Sequence, residues 1–174
     1  MNYSLTDTDL KRIVGDNIPI MPYSSLIDSG VLNVLMSSPE HCCIFLVRQS
    51  ENVGHWCLCF LKTKGSETGI HIYDPYGNPP DGEDWSKRVA YNVLEQLHQE
   101  KPYLLKDLYN SGYKVYFNEF QHQSRDPSIF TCGRHCCTRA SFLDLDTKQY
   151  NKMITGHGIS PDELVCEMTN NYLI

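Results

Sequence analysis

The sequence predicts a single mixed domain of helices and strands over residues 1–174, with a strand-rich middle between helical ends. Three observations predict it. Cys42 to Val47 is an unbroken apolar run, the pattern of a strand buried on both faces. His55 to Leu61 and Ile70 to Tyr73 are two further β-prone runs, separated by the turn-forming stretch TKGSETG. Apolar residues recur at helical spacing near both termini.

Taken in order, Leu5, Leu10, Ile13 and Val14 predict a short amphipathic helix closed near Gly15. Ile18 to Pro22 is extended, because proline restricts the residue before it. Ser24 to Met36 reads as one helix with Leu26, Ile27, Val31, Val34 and Leu35 on one side, weakened by Gly30. In the hairpin, a turn centred on Lys64-Gly65 pairs Leu61 with Thr68 and sets His55 opposite Asp74, on one face of the sheet. A slip of one residue separates them. DPYGNPPDG is an irregular loop, after which Trp85, Val89, Val93, Leu94 and Leu97 predict a helix to about Gln99, capped by Asp84. Tyr103 to Tyr109 predicts a short helix, Tyr113 to Phe117 a strand, and Glu119 to Thr131 a polar loop. A helix then runs from Cys132 toward Leu143. A last helix starts at Ser160, with Pro161 in its first position and Glu163 completing a capping box.

A net charge of −6 speaks against nucleic-acid binding by the surface as a whole. No stretch is long and apolar enough to span a bilayer, and the first residues lack the basic-then-apolar layout of a secretory leader. The eight cysteines are therefore expected as thiols in a reducing compartment. Adjacent pairs (Cys42-Cys43, Cys136-Cys137) and the absence of any C-x-x-C pair argue against a disulfide framework and a structural zinc site. No cofactor and no metal are expected.

The chemistry centres on TCGRHCCTRASF, residues 131–142, a loop leading into a helix with Cys132 at the junction. Unpaired N–H groups in a first helical turn favour a thiolate. Gly133 adds no side chain and leaves room for another chain to approach the sulfur. A cysteine nucleophile needs an imidazole to take or share its proton, a carboxylate to orient that ring, and donors for the oxyanion. His55 and Asp74 supply the first two. The backbone N–H of Cys132 and the amide of Gln121 or Gln123 supply the last. Each residue also has an ordinary structural role: a buried thiol, a strand-edge histidine, the start of an Asp-Pro turn, solvated glutamines, and core tryptophans at 56 and 85. Spacing alone leaves both readings open.

Three pieces in this order, Gly54-His55-Trp56, Tyr73-Asp74-Pro75-Tyr76-Gly77 and Cys132-Gly133-Arg134-His135-Cys136-Cys137, resemble the adenovirus-type maturation proteases. That group has relatives in virophages and Polinton-like elements and is related to the ubiquitin-like-protein proteases. The small size points to the virophage kind. The resemblance implies a papain-like α+β fold, with the nucleophile-bearing helix packed on a small, mostly antiparallel or mixed sheet. It implies His55 as base, Asp74 as orienting carboxylate, Cys132 as nucleophile and Trp56 as the aromatic after the histidine. Gly54, Trp56 and Gly133 would line the substrate. The family's oxyanion glutamine falls to Gln123, at a longer spacing from Cys132 than is usual, with Gln121 as alternative. The activity implied is limited proteolysis of viral capsid and core precursors, often beside glycine, by a monomer in the virion and the host-cell cytoplasm. A peptide activator and DNA are further partners by analogy; the acidic charge speaks against DNA, and no matching cofactor cysteine is found.

Four rivals remain. They are a deconjugase for a ubiquitin-like protein, an acyltransferase with the same three residues, a thiol-rich binding or metal module, and an inactive homologue acting in capsid interactions.

Overall fold

The computed structural model describes residues 3–49 and 53–174. Its centre is a five-stranded mixed sheet in the order β1-β2-β3-β4-β5. The strands are β1 (Ile20–Pro22), β2 (Cys42–Arg48), β3 (Gly54–Lys64), β4 (Glu67–Tyr73) and β5 (Lys114–Phe117). The three middle strands are antiparallel, and β1 and β5 join the two sides in parallel. Eight helices surround the sheet among the described residues: α1 (Asp7–Val14), α2 (Tyr23–Ser29), α3 (Val31–Ser37), α4 (Tyr91–Gln96), α5 (Tyr103–Asn110), α6 (Cys132–Ala140), α7 (Thr147–Thr155) and α8 (Pro161–Thr169). None is long and apolar enough to cross a membrane.

Strand alternation splits the core into two clusters. Trp56, Leu58, Phe60 and Tyr73 pack with Leu10, Cys132, Cys136, Tyr150 and Val165. Cys57, Cys59, Ile70 and Ile72 pack with Leu26, Leu35, Trp85, Leu104 and Leu108. Both faces of β2 and β3 are thus covered, which is why their sequences are continuously apolar rather than alternating.

Four local expectations are corrected. The turn sits one residue later than expected: Lys64 pairs with Glu67, so Gly65, at φ +64°, and Ser66 form the bend. The register is displaced by two residues and Leu61 faces Ile70, not Thr68. A two-residue displacement preserves the face, so His55 and Asp74 stay on one side, diagonal rather than opposed.

The stretch from Ser24 to Met36 is two helices. Gly30 sits at φ +84°, and the N–H of Val31 is taken by Asp107 Oδ2 at 2.8 Å, which restarts the helix against α5. The helix expected from Asp84 is a 3₁₀ turn, Glu83–Trp85, followed separately by α4. Trp85 is drawn out of helical register by its ring contacts with Tyr23 and Phe45 and by its bond to Asp74. α7 was not expected, although Asp146 and Gln149 form a capping box at its start and Tyr150 and Ile154 bury one face.

Candidate active site

His55, Asp74 and Cys132 come together where the end of β3, the residue after β4 and the first turn of α6 converge. β3 outruns its pairing with β4, which begins at Leu58 and Tyr73. The next residue on each side is Cys57 and Asp74, and His55 lies two further along the same face as Cys57. From there Nε2 of His55 reaches Asp74 Oδ1 at 2.7 Å. The Cys132 thiol lies near enough to the imidazole for each to shift the other's pKa.

Asp74 is fully buried, yet its carboxylate is surrounded by donors. The N–H of Tyr76 donates to Oδ1 at 2.8 Å, and the indole N–H of Trp85 donates to Oδ2 at 2.9 Å. Its backbone is clamped by Asn118, which accepts from the Asp74 N–H at 2.9 Å and donates to the Asp74 carbonyl at 2.8 Å. Burial opposes the charge. The His55 charge and the hydrogen bonds from His55, Trp85 and Tyr76 outweigh it and hold the carboxyl below its usual range.

Burial works against a charged His55 too, but the Asp74 carboxylate raises the imidazole well above its ordinary pKa. Cys132 completes the series. Burial pushes the thiol up, while the His55 hydrogen bond and charge, followed by backbone hydrogen bonds from Trp56 and Gly133, bring it below its ordinary value. Cys57 and Cys137 are instead pushed up to about 12 by burial. The arrangement favours a thiolate–imidazolium pair at one sulfur.

The ring of Tyr76 stacks on His55 with centroids 4.8 Å apart, and Arg125 lies over the far face of Tyr76 at 5.2 Å. Arg125 is fixed in turn by Asn78 at 3.0 Å and Asp84 at 3.2 Å. The loop before the nucleophile is tied to the same centre, because the N–H groups of His122 and Gln123 both donate to the Pro75 carbonyl at 2.9 Å. Gln123 is buried; its Nε2 donates to the Ile129 carbonyl at 3.2 Å and its Oε1 has no partner. Gln121 is exposed and spends its Nε2 on the Gln123 carbonyl at 2.9 Å.

The residues expected to line the substrate serve the interior at least as much. Trp56 is buried and its indole N–H donates to the Leu5 carbonyl at 2.9 Å. A Cβ on Gly133 would lie 3.0 Å from Leu10, 3.2 Å from Leu5 and 3.2 Å from Trp56. Gly133 therefore lets α6 approach α1 and β3. Gly54 is half-buried beside Leu46. It shares with Leu46, Met21, Leu5 and Trp56 a cleft of about 430 Å³ that His55, Asp74 and Cys132 do not line.

His55, Cys57 and Asp74 place possible ligand atoms within 4.8 Å of one another. They do not fit a zinc ion as they stand. Two nitrogen or oxygen ligands on one tetrahedral zinc sit about 3.3 Å apart, whereas His55 and Asp74 are 2.7 Å apart in a direct hydrogen bond.

Sequence reasoning missed Trp85, Asn118 and Arg125 as parts of this site. Trp85 carried a usable signal, since a buried indole N–H needs an acceptor. Asn118 and Arg125 carried none, because their partners are defined only by the folded loops.

No family model matches the chain. The "Uncharacterized protein V9" of Sputnik virophage is 31% identical over 170 residues, covering 95% of this chain and 94% of V9. The chain belongs to the V9 family of virophage proteins. Among solved structures, the ASFV pS273R protease matches with a TM-score of 0.51 at 16% identity, over 95% of this chain. The chain spans 66% of that protease's length. The V9-family chain thus shares the fold of that protease, and in this chain the helix start, strand end and loop described above carry the polar centre.

Proposed function

We propose that this V9-family chain is a cysteine endopeptidase that cleaves viral capsid or core precursor proteins, beside glycine, during particle maturation. The observation that carries the proposal is the buried His55–Asp74 hydrogen bond beside Cys132, whose thiol the imidazole brings below its ordinary pKa.

In this mechanism the Cys132 thiolate attacks the scissile carbonyl carbon. The carbonyl π electrons move to oxygen, and the oxyanion is received by the Cys132 N–H and by Gln123 Nε2. Gln123 suits this role better than Gln121 because it is buried and its loop is bonded to Pro75, next to Asp74. Collapse breaks the C–N bond as His55 passes its proton to the departing amine, leaving a thioester. Water then attacks the thioester with His55 as base, and the thiolate is released. Asp74 fixes the ring throughout and transfers no proton. Gly54 and Trp56, which flank His55 in β3, would receive the chain on one side of the scissile bond.

The same geometry serves a deconjugase of a ubiquitin-like protein equally well, since an isopeptide bond breaks by the same steps. Incubating the purified chain with virophage capsid precursor, with ubiquitin-like conjugates and with an acyl donor separates the readings. Cleavage of the precursor, lost in Cys132→Ala and His55→Ala, supports the proposal. Exclusive cleavage of conjugates makes the chain a deconjugase, and transfer without hydrolysis an acyltransferase. Cleavage that persists in folded Cys132→Ala ends the assignment.

A further inference from the structure

The proposed chemistry requires two segments to hold a fixed relation: the loop carrying Gln123 and the helix start carrying Cys132. They are consecutive in the chain, with residues 124–131 running between them in irregular conformation. What joins them is a carboxylate from a third element. Asp162, in the first turn of α8, is 8% exposed and has no lysine or arginine partner among the ion pairs of the described residues. Its Oδ2 accepts the backbone N–H of Ser124 at 2.9 Å. Its Oδ1 accepts the Thr131 hydroxyl and the His135 Nε2–H, the latter at 2.9 Å.

The three donors are well chosen. Ser124 follows Gln123, Thr131 precedes Cys132, and His135 lies one turn further along α6. We propose that Asp162 is a positioning residue that locks the oxyanion-donor loop to the nucleophile turn. The inference rests on the protease reading for its functional meaning but not for its geometry. Both oxygens are needed, because one faces the loop and the other faces the helix. Burial opposes the Asp162 charge, and the hydrogen bonds from His135, Thr131 and Ser124 overcome it and keep the carboxyl below its usual range. Burial keeps His135 below its ordinary pKa, so it acts as a neutral donor. A capping role alone does not explain the bonds: the α8 cap is Ser160 with Glu163, and Asp162 takes no part in it.

Asp162→Asn is the sharpest test. It keeps the volume but replaces one acceptor with an NH₂ group that must face either the Ser124 N–H or the Thr131 and His135 donors. In the full chain, with folding checked by circular dichroism, kcat on a peptide that the parent cleaves is expected to fall about tenfold or more at nearly constant KM. Thr131→Val should lower kcat as well, and Thr131→Ser should restore it. The Asp162→Asn/Thr131→Val double variant should lose less than the product of the single losses, as linked groups do. An Asp162→Asn variant with parental kcat and KM, or fully multiplicative losses, overturns the inference. If Asp162→Ala unfolds, the Asn and Thr131 variants still decide. If the parent cleaves no peptide, the protease reading fails separately. Asp162 is then judged by Cys132 alkylation with iodoacetamide: slowing by about threefold or more in Asp162→Asn supports the positioning role, and an unchanged rate refutes it.

Discussion

Asp74 bears the cost of the site at the residue scale. A fully buried carboxylate stays charged only if donors replace the water it lost, and here His55, Tyr76 and Trp85 do so. Removing the indole donor alone should therefore be felt at the sulfur. Trp85→Phe keeps most of the ring packing and leaves Oδ2 unsatisfied. It is expected to lower kcat/KM by about tenfold, equivalent to ~1.4 kcal/mol, measured on any peptide the parent cleaves. The pH dependence has a definite sign. Cys132 is shifted down and His55 up, so the ion pair exists between the two transitions. Iodoacetamide alkylation of Cys132 should already be fast below the ordinary thiol range. Peptide cleavage should fall at alkaline pH, as His55 loses its proton well above the usual imidazole value. An alkylation profile following an unperturbed thiol contradicts the pair. Asp74 works in the other direction. Its carboxyl is depressed in the fold, so its ionisation favours folding at neutral pH, and that contribution fades as acid takes the pH down through the folded pKa. His55, Asp74 and Cys132 were legible because each lies beside a recognisable local element. Asn118, Arg125 and Asp162 were not, because their roles exist only through contacts across distant loops.

At the element scale, the parts readable from sequence are those whose cause is local. The predicted cap of the last helix, Ser160 with Glu163, forms as its side-chain chemistry dictates, and the strands follow apolar runs. Local pattern fails where a distant partner intervenes, as Asp107 does at Val31 and Asp74 at Trp85. Hairpin parity survived an incorrect register because a displacement of two keeps every side chain on its face. Helix α6 gives the prediction that belongs to this scale. A methyl group on its second residue would meet Leu10, Leu5 and Trp56 at 3.0–3.2 Å, tighter than ordinary contact, so these neighbours would have to shift. Gly133→Ala should push α6 away from α1 and β3, destabilising the chain by about 1–3 kcal/mol in urea unfolding. It should also lower kcat, because Cys132 moves with the helix start. Unchanged stability would mean that the Gly133 position tolerates side-chain volume and serves the open cleft, as read from sequence.

Across the whole molecule, the sheet separates two packed layers and leaves one polar centre at its end. All eight cysteines are buried, and seven of them are distributed over both clusters rather than gathered at the centre: Cys42, Cys132, Cys136 and Cys137 on one side, Cys43, Cys57 and Cys59 on the other. Cys42, Cys57, Cys59, Cys136, Cys137 and Cys166 are all pushed above the ordinary thiol value, and Cys132 is brought below it. Reactivity and position are thereby uncoupled, since a buried thiol is protected by packing unless its surroundings ionise it. Mass spectrometry after brief exposure of the native chain to iodoacetamide should find a single labelled cysteine, Cys132. The other seven should label only as denaturant opens the core, with one common midpoint if the two layers unfold together. His55→Ala should abolish the fast phase and leave the slow ones in place, because it removes the hydrogen bond and charge that lower the Cys132 pKa without touching the burial of the rest. Two or more cysteines labelling at the native rate would mean that the layers are open to reagent, and that fast alkylation of Cys132 is exposure rather than ionisation.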